Sequence, residues 1–223
     1  MSDRGLPPPP TAAVVLFGEA LPLIAAYGEK LATDGVVRGL IGPHEVPRLW
    51  ERHLLNCGVI AELLGPGLAV VDVGSGAGLP GIVLAIARPD LRVTLVEPLA
   101  RRVAFLEECR DALELTTLAI LRGRAEEPAI ASEAGGADVV TARAVAPLER
   151  LARICLPLVR NGGRLLAVKG ESATAEVAQS RRSIERDGGH QITIRRCGIG
   201  TVDPPATVVE VVRRVRSATK GRS

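Results

Sequence analysis

Short runs of β-branched residues alternate with helical segments from Leu68 onward, and this alternation restricts the chain to few folds. The predicted strands are LAVVDV at 68–73, RVTLVE at 92–97, a run near 117–121, ADVVTAR at 137–143 and GRLLAVKG at 163–170. The predicted helices between them cover 79–87, 99–113, 126–132 and 147–159. Strands and helices in this order connect by right-handed crossovers, which give a largely parallel sheet. The sequence therefore predicts a doubly wound α/β domain.

The two ends of the chain add smaller parts to this domain. After a polar helix over 173–187, the segments 191–199 and 206–215 predict two closing strands joined at Pro204-Pro205, an antiparallel edge pair. Apolar residues recur at helical spacing over 12–33 and 46–64. We therefore divide the chain into a disordered leader with four consecutive prolines (1–11), an N-terminal helical cap (12–64), the α/β domain (65–215) and a basic tail (216–223).

Composition restricts the partners, the compartment and the kinds of site that we expect for this chain. Its 28 Lys and Arg residues against 25 Asp and Glu give a net charge of +3, which permits an anionic partner without requiring one. The sequence contains no secretory signal and no apolar run of membrane-spanning length, so we expect a cytoplasmic protein with no membrane partner. The four cysteines lack ligand spacing, which argues against a metal site and a disulfide framework: Cys57, Cys109, Cys155 and Cys197.

The loop after the first strand is the strongest candidate for a ligand site. In VVDVGSGAGLPG, four glycines follow β-forming residues within a few positions: Gly74, Gly76, Gly78 and Gly81. Ligands of doubly wound sheets bind beyond the carboxyl ends of the strands, and the first loop is usually part of that crevice. Glycines let the backbone approach a ligand closely because no Cβ intervenes. A tight turn that serves packing alone is the alternative.

The glycine spacing alone leaves two kinds of cofactor open. Gly76 to Gly81 matches G-x-G-x-x-G, which would indicate a dinucleotide and a nicotinamide-dependent oxidoreductase. Counted from Gly74, however, the pattern is G-x-G-x-G with Leu79 in the place of the third glycine. Asp72 lies near the end of the strand, where its charge would repel a pyrophosphate and favour the cationic S-adenosylmethionine. We therefore favour S-adenosylmethionine as the cofactor.

Side chains at the ends of the other strands complete the predicted site. Glu97 ends the second strand, where a carboxylate can accept hydrogen bonds from ribose hydroxyls. From their position after the third strand, Ala125 and Glu126 are assigned to the adenine edge. Arg143 ends the fourth strand and could clamp the cofactor carboxylate, contact RNA or form only a surface ion pair. Weaker positioning candidates are Lys169, for an RNA phosphate, and His53, which could equally be structural.

Longer motifs resemble those of one family of enzymes. VVDVGSGAGLPGIVLAIARPDLRVTLVEPLARRVAFLEE, followed by GRAEE, VVTARAVAPL and LLAVKG and preceded by RLWERHLLN, resembles the small-subunit ribosomal RNA guanine-N7 methyltransferases (RsmG, or GidB) over roughly 46–170. The resemblance implies the Rossmann-like class I S-adenosylmethionine-dependent methyltransferase fold, with seven mostly parallel strands. It also implies S-adenosylmethionine as cofactor and N7 of a guanine in the decoding-region (530) loop of 16S rRNA as target.

The resemblance also assigns residues, with one departure. By position, the family's cofactor contacts fall on Gly74, Leu79, Ala125, Glu126 and Arg143, while Asp72 and Glu97 belong to the wider methyltransferase pattern. Gly76 and Gly78 remain candidates from the loop itself. Where the family often continues RHLLDS, this chain has Asn56 and Cys57 after RHLL, which removes a carboxylate from the cap.

The chemistry of guanine N7 agrees with the residues that the chain lacks. N7 carries an in-plane lone pair and no proton, so its methylation requires no general base. We expect in-line displacement that depends on positioning, and we assign no catalytic acid or base. Methylation of an exocyclic amine would favour an N-P-P-Y motif after the fourth strand, where this chain has ARAVAP at 142–147. A small-molecule methyltransferase stays open because the fold does not fix the substrate.

Arginines are numerous in the sequence, and aromatic residues are few. The four aromatic residues argue against a stacking platform for single-stranded RNA and favour a folded, shaped RNA: Phe17, Tyr27, Trp50 and Phe105. We expect a monomer that meets 16S rRNA within the small ribosomal subunit or its assembly intermediate. Candidate phosphate contacts are Arg101-Arg102, Arg122 with Arg124, Arg181-Arg182, Arg195-Arg196, Arg213-Arg214 and the tail RSATKGRS.

Overall fold

A computed structural model describes residues 5–143 and 146–214 and contains one seven-stranded sheet. The strands are β1 Ala69–Val73, β2 Arg92–Glu97, β3 Leu118–Arg122, β4 Ala137–Arg143, β5 Val159–Lys169, β6 Gly189–Cys197 and β7 Ala206–Arg213. Their order in the sheet is β3-β2-β1-β4-β5-β7-β6. Strands β1 to β5 run parallel, and β7 is antiparallel to both β5 and β6. The predicted doubly wound sheet with an antiparallel edge pair is confirmed.

Helices cover both faces of the sheet. They are α1 Thr11–Phe17, α2 Leu21–Lys30, α3 Asn56–Gly58, α4 Gly81–Ala87, α5 Ala100–Ala112, α6 Pro128–Ala134, α7 Leu148–Cys155 and α8 Ala173–Arg186. Successive residues of a strand point to opposite faces. Val70 therefore joins the core beneath α4, α5 and the cap, whereas Val71 joins the core beneath α6, α7 and α8.

The cap is built from two helical stretches of mixed geometry. In the first, a 3₁₀ turn at Gly18–Ala20 joins α1 to α2, and a π-helical turn follows at Leu31–Gly35. In the second, a π-helical segment, Trp50–Leu55, precedes α3, and a 3₁₀ turn, Val59–Leu63, follows it. The predicted helices at 12–33 and 46–64 are therefore present but irregular.

The helical stretch Thr11–Gly35 requires a correction to the sequence analysis. It has 25 residues and is long and apolar enough, by length and composition alone, to cross a membrane. Ile24, Tyr27 and Leu31 on this stretch are completely buried in the core that the cap shares with the sheet. One face of the stretch is therefore part of the core of the α/β fold.

The predicted disordered leader also differs from the structure over residues 5–10. The side chain of Leu6 packs against the core, and the Trp50 indole Nε1 donates a hydrogen bond to the Pro7 carbonyl at 2.7 Å. A buried indole N–H needs an acceptor, and the proline segment supplies one. Residues 1–4 and the predicted basic tail, 216–223, lie outside the described residues.

The end of the helix after β4 is a second difference. The predicted helix 147–159 ends as an α-helix at Cys155 and continues as a 3₁₀ turn, Leu156–Leu158. Pro157 lacks an N–H group and therefore disfavours continuation of the helix. Strand β5 then begins at Val159, four residues earlier than predicted, and its pairing with β4 changes register near Ala137.

Candidate active site

A cavity of about 560 Å³ lies where β1 to β4 end, beneath the cap. Each loop that follows one of these strands contributes to its wall, as the topology of a doubly wound sheet predicts. The lining includes the last residues of three strands, Val73 of β1, Glu97 of β2 and Arg143 of β4. It also includes Gly74, Ser75, Gly76, Ala77 and Leu79 after β1, Pro98 and Leu99 after β2, Gly123, Arg124, Ala125 and Glu126 after β3, Ala146 and Arg150 after β4, and Leu40, Ile41 and His53 from the cap. Seven of the nine predicted cofactor-binding residues lie in this wall.

The backbone of the glycine loop faces the cavity directly. Gly74 and Gly76 have φ angles of +69° and +60°, a conformation that side chains with a Cβ rarely adopt. A Cβ placed on Gly76 would meet only the Gly74 carbonyl oxygen, at 3.8 Å, so the space in front of it is open. The loop therefore offers a bare surface that a ligand can approach closely.

Asp72 lies elsewhere than the sequence analysis predicted. It is completely buried and absent from the cavity wall, because Val73 faces the cavity and neighbouring residues of a strand alternate in direction. Its carboxylate accepts hydrogen bonds from the Gly81 amide at 3.2 Å and from Thr141 Oγ1 at 2.9 Å. The Asp72 carboxylate therefore stabilises the loop through hydrogen bonds on the side away from the cavity. Its charge does not explain why the site would prefer S-adenosylmethionine to a dinucleotide.

Burial also changes the acidity of Asp72. Removal from water raises the pKa of this carboxyl from 3.8 to about 6, and the hydrogen bonds from Thr141, Ser75 and Gly81 oppose that rise. The charged carboxylate destabilises the fold, and its hydrogen bond from the Gly81 amide fixes the first residue of α4.

Gly78 is also absent from the cavity wall. A Cβ on Gly78 would lie 2.5 Å from Ile82 Cδ1 and 3.0 Å from the Tyr27 hydroxyl. A Cβ on Gly81 would overlap with Leu95 Cδ2. These two glycines allow the loop to pack against α4, the cap and β2, and the structure gives them no direct approach to a ligand.

Tyr27 is a site residue that the sequence analysis missed. Its hydroxyl, on α2, donates a hydrogen bond to the Ala77 carbonyl at 2.6 Å, across 50 positions of the chain. Burial raises the pKa of this hydroxyl well above 10, so it remains a donor. Because Ala77 lines the cavity, the cap holds the glycine loop in place through this bond.

We predict that Tyr27→Phe weakens S-adenosylmethionine binding several-fold and lowers the free energy of unfolding by about 1 kcal/mol. The change leaves the ring in place and deprives the Ala77 carbonyl of its donor. Calorimetric titration and thermal unfolding would measure the two effects. An unchanged affinity would mean that the loop keeps its position without the hydroxyl.

Glu97 combines cavity position with tight fixation. Its side chain is only 1% exposed, and its carboxylate accepts hydrogen bonds from the Gly76 amide at 2.9 Å and the Leu99 amide at 3.0 Å. Arg102 Nη1 lies 3.5 Å from the same carboxylate. Glu97 is therefore the buried anionic side chain in the wall, and it keeps lone pairs that hydroxyl groups could use.

Arg143 and His53 meet at the wall, as neighbours from β4 and the cap. Arg143 Nη2 lies 2.5 Å from His53 Nδ1, and His53 Nε2 lies 3.0 Å from Glu45 Oε2. Arg143 Nη1 also donates to the Arg52 carbonyl at 3.3 Å and to Cys57 Sγ at 3.4 Å. The departure from the family motif at Cys57 thus lies in contact with Arg143.

Lys169 does not line the cavity. Its ammonium donates to Glu176 Oε2 at 2.8 Å and to the Ala146 carbonyl at 2.9 Å, and its side chain is 10% exposed. The structure therefore gives Lys169 the role of joining β5 to α8, and its predicted contact with an RNA phosphate would require these bonds to break.

The wall fits an adenosine-type cofactor. The cavity volume lies within the range of small-molecule sites, and the left-handed loop leaves room that a Cβ at Gly76 would occupy. Arg102, in the wall, has a buried Nε with no hydrogen-bond partner among the described residues, so it can still donate to an acceptor. Glu97 supplies a carboxylate for hydroxyl groups, and Arg143 supplies a cation for a carboxylate.

Comparison with known proteins identifies the family. The family model described as rRNA small subunit methyltransferase G matches residues 20–202. The chain belongs to this family. Ribosomal RNA small subunit methyltransferase G of Salinispora tropica is 60% identical over 215 residues, which cover 92% of this chain and 88% of that protein. The protein of the same name from Rhodococcus jostii is 57% identical over 202 residues, with 91% and 88% coverage.

Solved structures agree on the fold of this methyltransferase G family member. Aeropyrum pernix fibrillarin, crystallised with natively bound S-adenosyl-L-methionine, matches with a TM-score of 0.54 at 18% identity, covering 72% of this chain and 75% of that one. A SAM-dependent O-methyltransferase from Thermotoga maritima matches with a TM-score of 0.55 at 17% identity, covering 73% and 66%. The fold is the Rossmann-like class I methyltransferase fold. Membership of the methyltransferase G family gives S-adenosylmethionine as the cofactor.

Several arginines considered for RNA binding are engaged within the fold. Arg195 pairs with Glu210 at 2.7 Å, Arg196 donates to Thr207 Oγ1 at 2.7 Å, and Arg213 donates to the Pro157 and Val159 carbonyls. Arg124 and Arg150, by contrast, are exposed in the cavity wall and have no ion-pair partner among residues 5–143 and 146–214. Arg150 was not singled out from the sequence.

Proposed function

We propose that the chain transfers the methyl group of S-adenosylmethionine to N7 of a guanine in the decoding-region (530) loop of 16S rRNA. The substrate is the small ribosomal subunit or its assembly intermediate, and the enzyme acts as a monomer in the cytoplasm. The transfer is an in-line displacement that uses no general base. Membership of the methyltransferase G family is the observation that carries this proposal.

The engagement of Glu97 and His53 at the cavity, together with the burial of the cysteines, supports a reaction without a general base. The Glu97 carboxylate accepts two backbone amides, and His53 has contacts at both ring nitrogens. The four cysteines are buried, and burial raises the pKa of each thiol, which opposes nucleophilic use. Guanine N7 needs none of these groups because its lone pair is already free.

Each wall residue has a role in this proposal. When bound, S-adenosylmethionine supplies a methyl group made electrophilic by the sulfonium. The backbone at Gly74 and Gly76 gives close approach, and Leu79 adds an apolar contact. Glu97 accepts the ribose hydroxyls. Residues 123–126 hold the adenine edge through Ala125 and Glu126, and Arg143 binds the cofactor carboxylate.

Two arginines in the cavity wall, Arg124 and Arg150, are the groups that bind the RNA backbone. Arg124 and Arg150 follow β3 and β4 and are exposed at the cavity that would hold the target base. Guanidinium groups bind phosphates in bidentate geometry, so these two can hold the backbone on either side of a guanine. This arrangement positions the base without reading the flanking sequence.

The proposal is tested by methyl transfer from radiolabelled S-adenosylmethionine to three substrates in parallel. These are small ribosomal subunits, naked 16S rRNA and a panel of small molecules, with the modified nucleoside identified by mass spectrometry. We expect label in 7-methylguanosine from the 530 loop. Label confined to small molecules would replace the proposal with a small-molecule methyltransferase, and label at another RNA position would retain only the rRNA substrate.

We predict that Arg150→Glu raises the KM for the rRNA substrate about tenfold and leaves the affinity for S-adenosylhomocysteine unchanged. The variant reverses a charge that lies opposite a phosphate, and one lost phosphate contact lowers the salt dependence of binding by about one unit of slope. Arg186→Glu, an equal charge change at an exposed residue of α8 outside the cavity wall, is the matched control. Equal effects of the two variants would assign the change to net charge alone.

A further inference from the structure

The guanidinium of Arg143 is held by the cap and not by its own strand. Its contacts within residues 5–143 and 146–214 are His53 Nδ1, the Arg52 carbonyl and Cys57 Sγ, all from the helical stretch that begins at Trp50. Arg52 and His53 lie in the π-helical segment of that stretch, and π-helical turns are frequent at functional sites. The direction of the Arg143 side chain therefore depends on how the cap presents these acceptors.

The chemistry of arginine fixes the protonation state of His53. Arginine donates hydrogen bonds and cannot accept them, so His53 Nδ1 must be the acceptor of the 2.5 Å contact. Its ring is then neutral, with the proton on Nε2, which donates to Glu45 Oε2 at 3.0 Å. Glu45 selects this tautomer in the way that carboxylates orient catalytic and metal-binding histidines.

The charges around His53 favour the same state. Burial lowers the pKa of His53 below 6.5, and Arg143 and Arg52 lower it further, whereas Glu45 acts in the opposite direction. The hydrogen bond from His53 lowers the pKa of Glu45, and Arg52 and Arg48 lower it too, so this carboxylate stays charged and keeps accepting the Nε2 proton. A proton added to His53 Nδ1 would replace the acceptor by a donor that faces a guanidinium.

We infer that His53, oriented by Glu45, is a positioning residue that aims Arg143 at the cofactor carboxylate through its unprotonated Nδ1. The inference rests on the part of the proposed function that gives Arg143 this carboxylate. It assigns Glu45, which no motif singled out, to the site, and it makes the bond between cap and sheet sensitive to protonation.

The test compares two substitutions that differ in the acceptor. Asn places a carbonyl oxygen close to the position of Nδ1, so His53→Asn keeps an acceptor for Arg143 that cannot be protonated at these pH values. His53→Leu keeps the volume and removes the acceptor. His44→Asn is the matched control, because His44 is exposed in the same part of the cap and has no hydrogen-bond partner among the described residues. S-adenosylhomocysteine, which carries the same carboxylate, is titrated calorimetrically between pH 5 and 8.

We expect His53→Leu to bind S-adenosylhomocysteine about tenfold more weakly than the parent at pH 8, since a charge-assisted hydrogen bond is lost. His44→Asn should match the parent at that pH, and His53→Asn should bind more tightly than His53→Leu because it keeps an acceptor for Arg143. Below pH 6.5 the parent and His44→Asn should lose affinity as His53 takes up a proton, and His53→Asn should lose less. Any contribution of Asp72, whose pKa is about 6, is common to all variants.

Two results would overturn the inference: parent-like affinity and pH dependence in His53→Leu, or His53→Asn as weak as His53→Leu at pH 8. Thermal unfolding at pH 8 verifies that each variant is folded. The methyl-transfer assay is independent of these titrations. A parent chain that binds S-adenosylhomocysteine as expected but methylates no RNA would refute the proposed substrate and leave the role of His53 standing.

Discussion

The Gly76→Val variant should fold like the parent chain and bind S-adenosylmethionine at least about a hundredfold more weakly, which corresponds to about 3 kcal/mol. Gly76 has a φ of +60°, and the space before its missing Cβ is the cavity itself. A β-branched side chain there would occupy the volume of the ligand, and the loop would have to change its φ to relieve strain of about 1–3 kcal/mol. Calorimetric titration with S-adenosylhomocysteine measures the loss.

Gly67→Val provides the control for backbone strain. Gly67 has a φ of +66°, a Cβ added to it would meet nothing within 4 Å, and it lies in the turn before β1, outside the cavity wall. Both variants carry the same strain, and only Gly76→Val fills the cavity. If Gly67→Val weakened cofactor binding as much as Gly76→Val, backbone strain would explain the loss of affinity. The assignment of a direct contact between the glycine loop and the cofactor would then be wrong.

The sheet and the position of the site follow from local patterns in the sequence. Runs such as RVTLVE have the strand period and are bounded by turn residues, so β2 is found at the predicted residues 92–97. Since parallel strands end at one edge, Gly74, Glu97, Ala125 and Arg143 could be placed together before their contacts were known. The topology of the sheet alone predicts that these residues lie together, without knowledge of their side-chain contacts.

The parts that were missed depend on which way a side chain points and on contacts between distant segments. Asp72 and Val73 are both plausible cavity residues by position, and only the alternation of the strand against a known cavity separates them. Tyr27 reaches Ala77 across 50 positions, and Glu45 reaches Arg143 through His53. No spacing rule connects such pairs, since the packing of the cap on the sheet brings them together.

The cap is therefore part of the site and not an appendage beside it. Tyr27 holds the glycine loop, and His53 holds Arg143. Leu40 and Ile41 of the cap add apolar residues to the cavity wall. Without the contacts from the cap, neither the loop nor the arginine would be held in its place, so we expect cofactor binding to depend on the cap.

Asp72→Asn should gain stability relative to the parent as the pH rises. The folded chain holds the Asp72 proton more tightly than the unfolded chain, with a pKa of about 6 against 3.8. Protonation therefore favours the folded state below pH 6, and the charged carboxylate costs it up to about 3 kcal/mol above that pH. Asn carries no charge, and one of its polar atoms can still accept from the Gly81 amide.

The measurement is the difference in free energy of unfolding between Asp72→Asn and the parent, from denaturant titrations at pH 4 and pH 8. Any hydrogen bond that Asn fails to make lowers the free energy of unfolding of the variant equally at both pH values. The rise in the difference from pH 4 to pH 8, up to about 3 kcal/mol, therefore reports the buried charge.

Asp138→Asn is the opposite case. This carboxylate, on β4, accepts from the Ala69 amide and from Arg160, and these bonds lower its pKa. Its stabilising charge is present above pH 4 and is lost only as the pH falls further, so Asp138→Asn should be less stable than the parent by a similar amount at pH 4 and pH 8. If the difference in free energy of unfolding between Asp72→Asn and the parent were also the same at pH 4 and pH 8, water would reach Asp72. The buried charge would then not destabilise the fold.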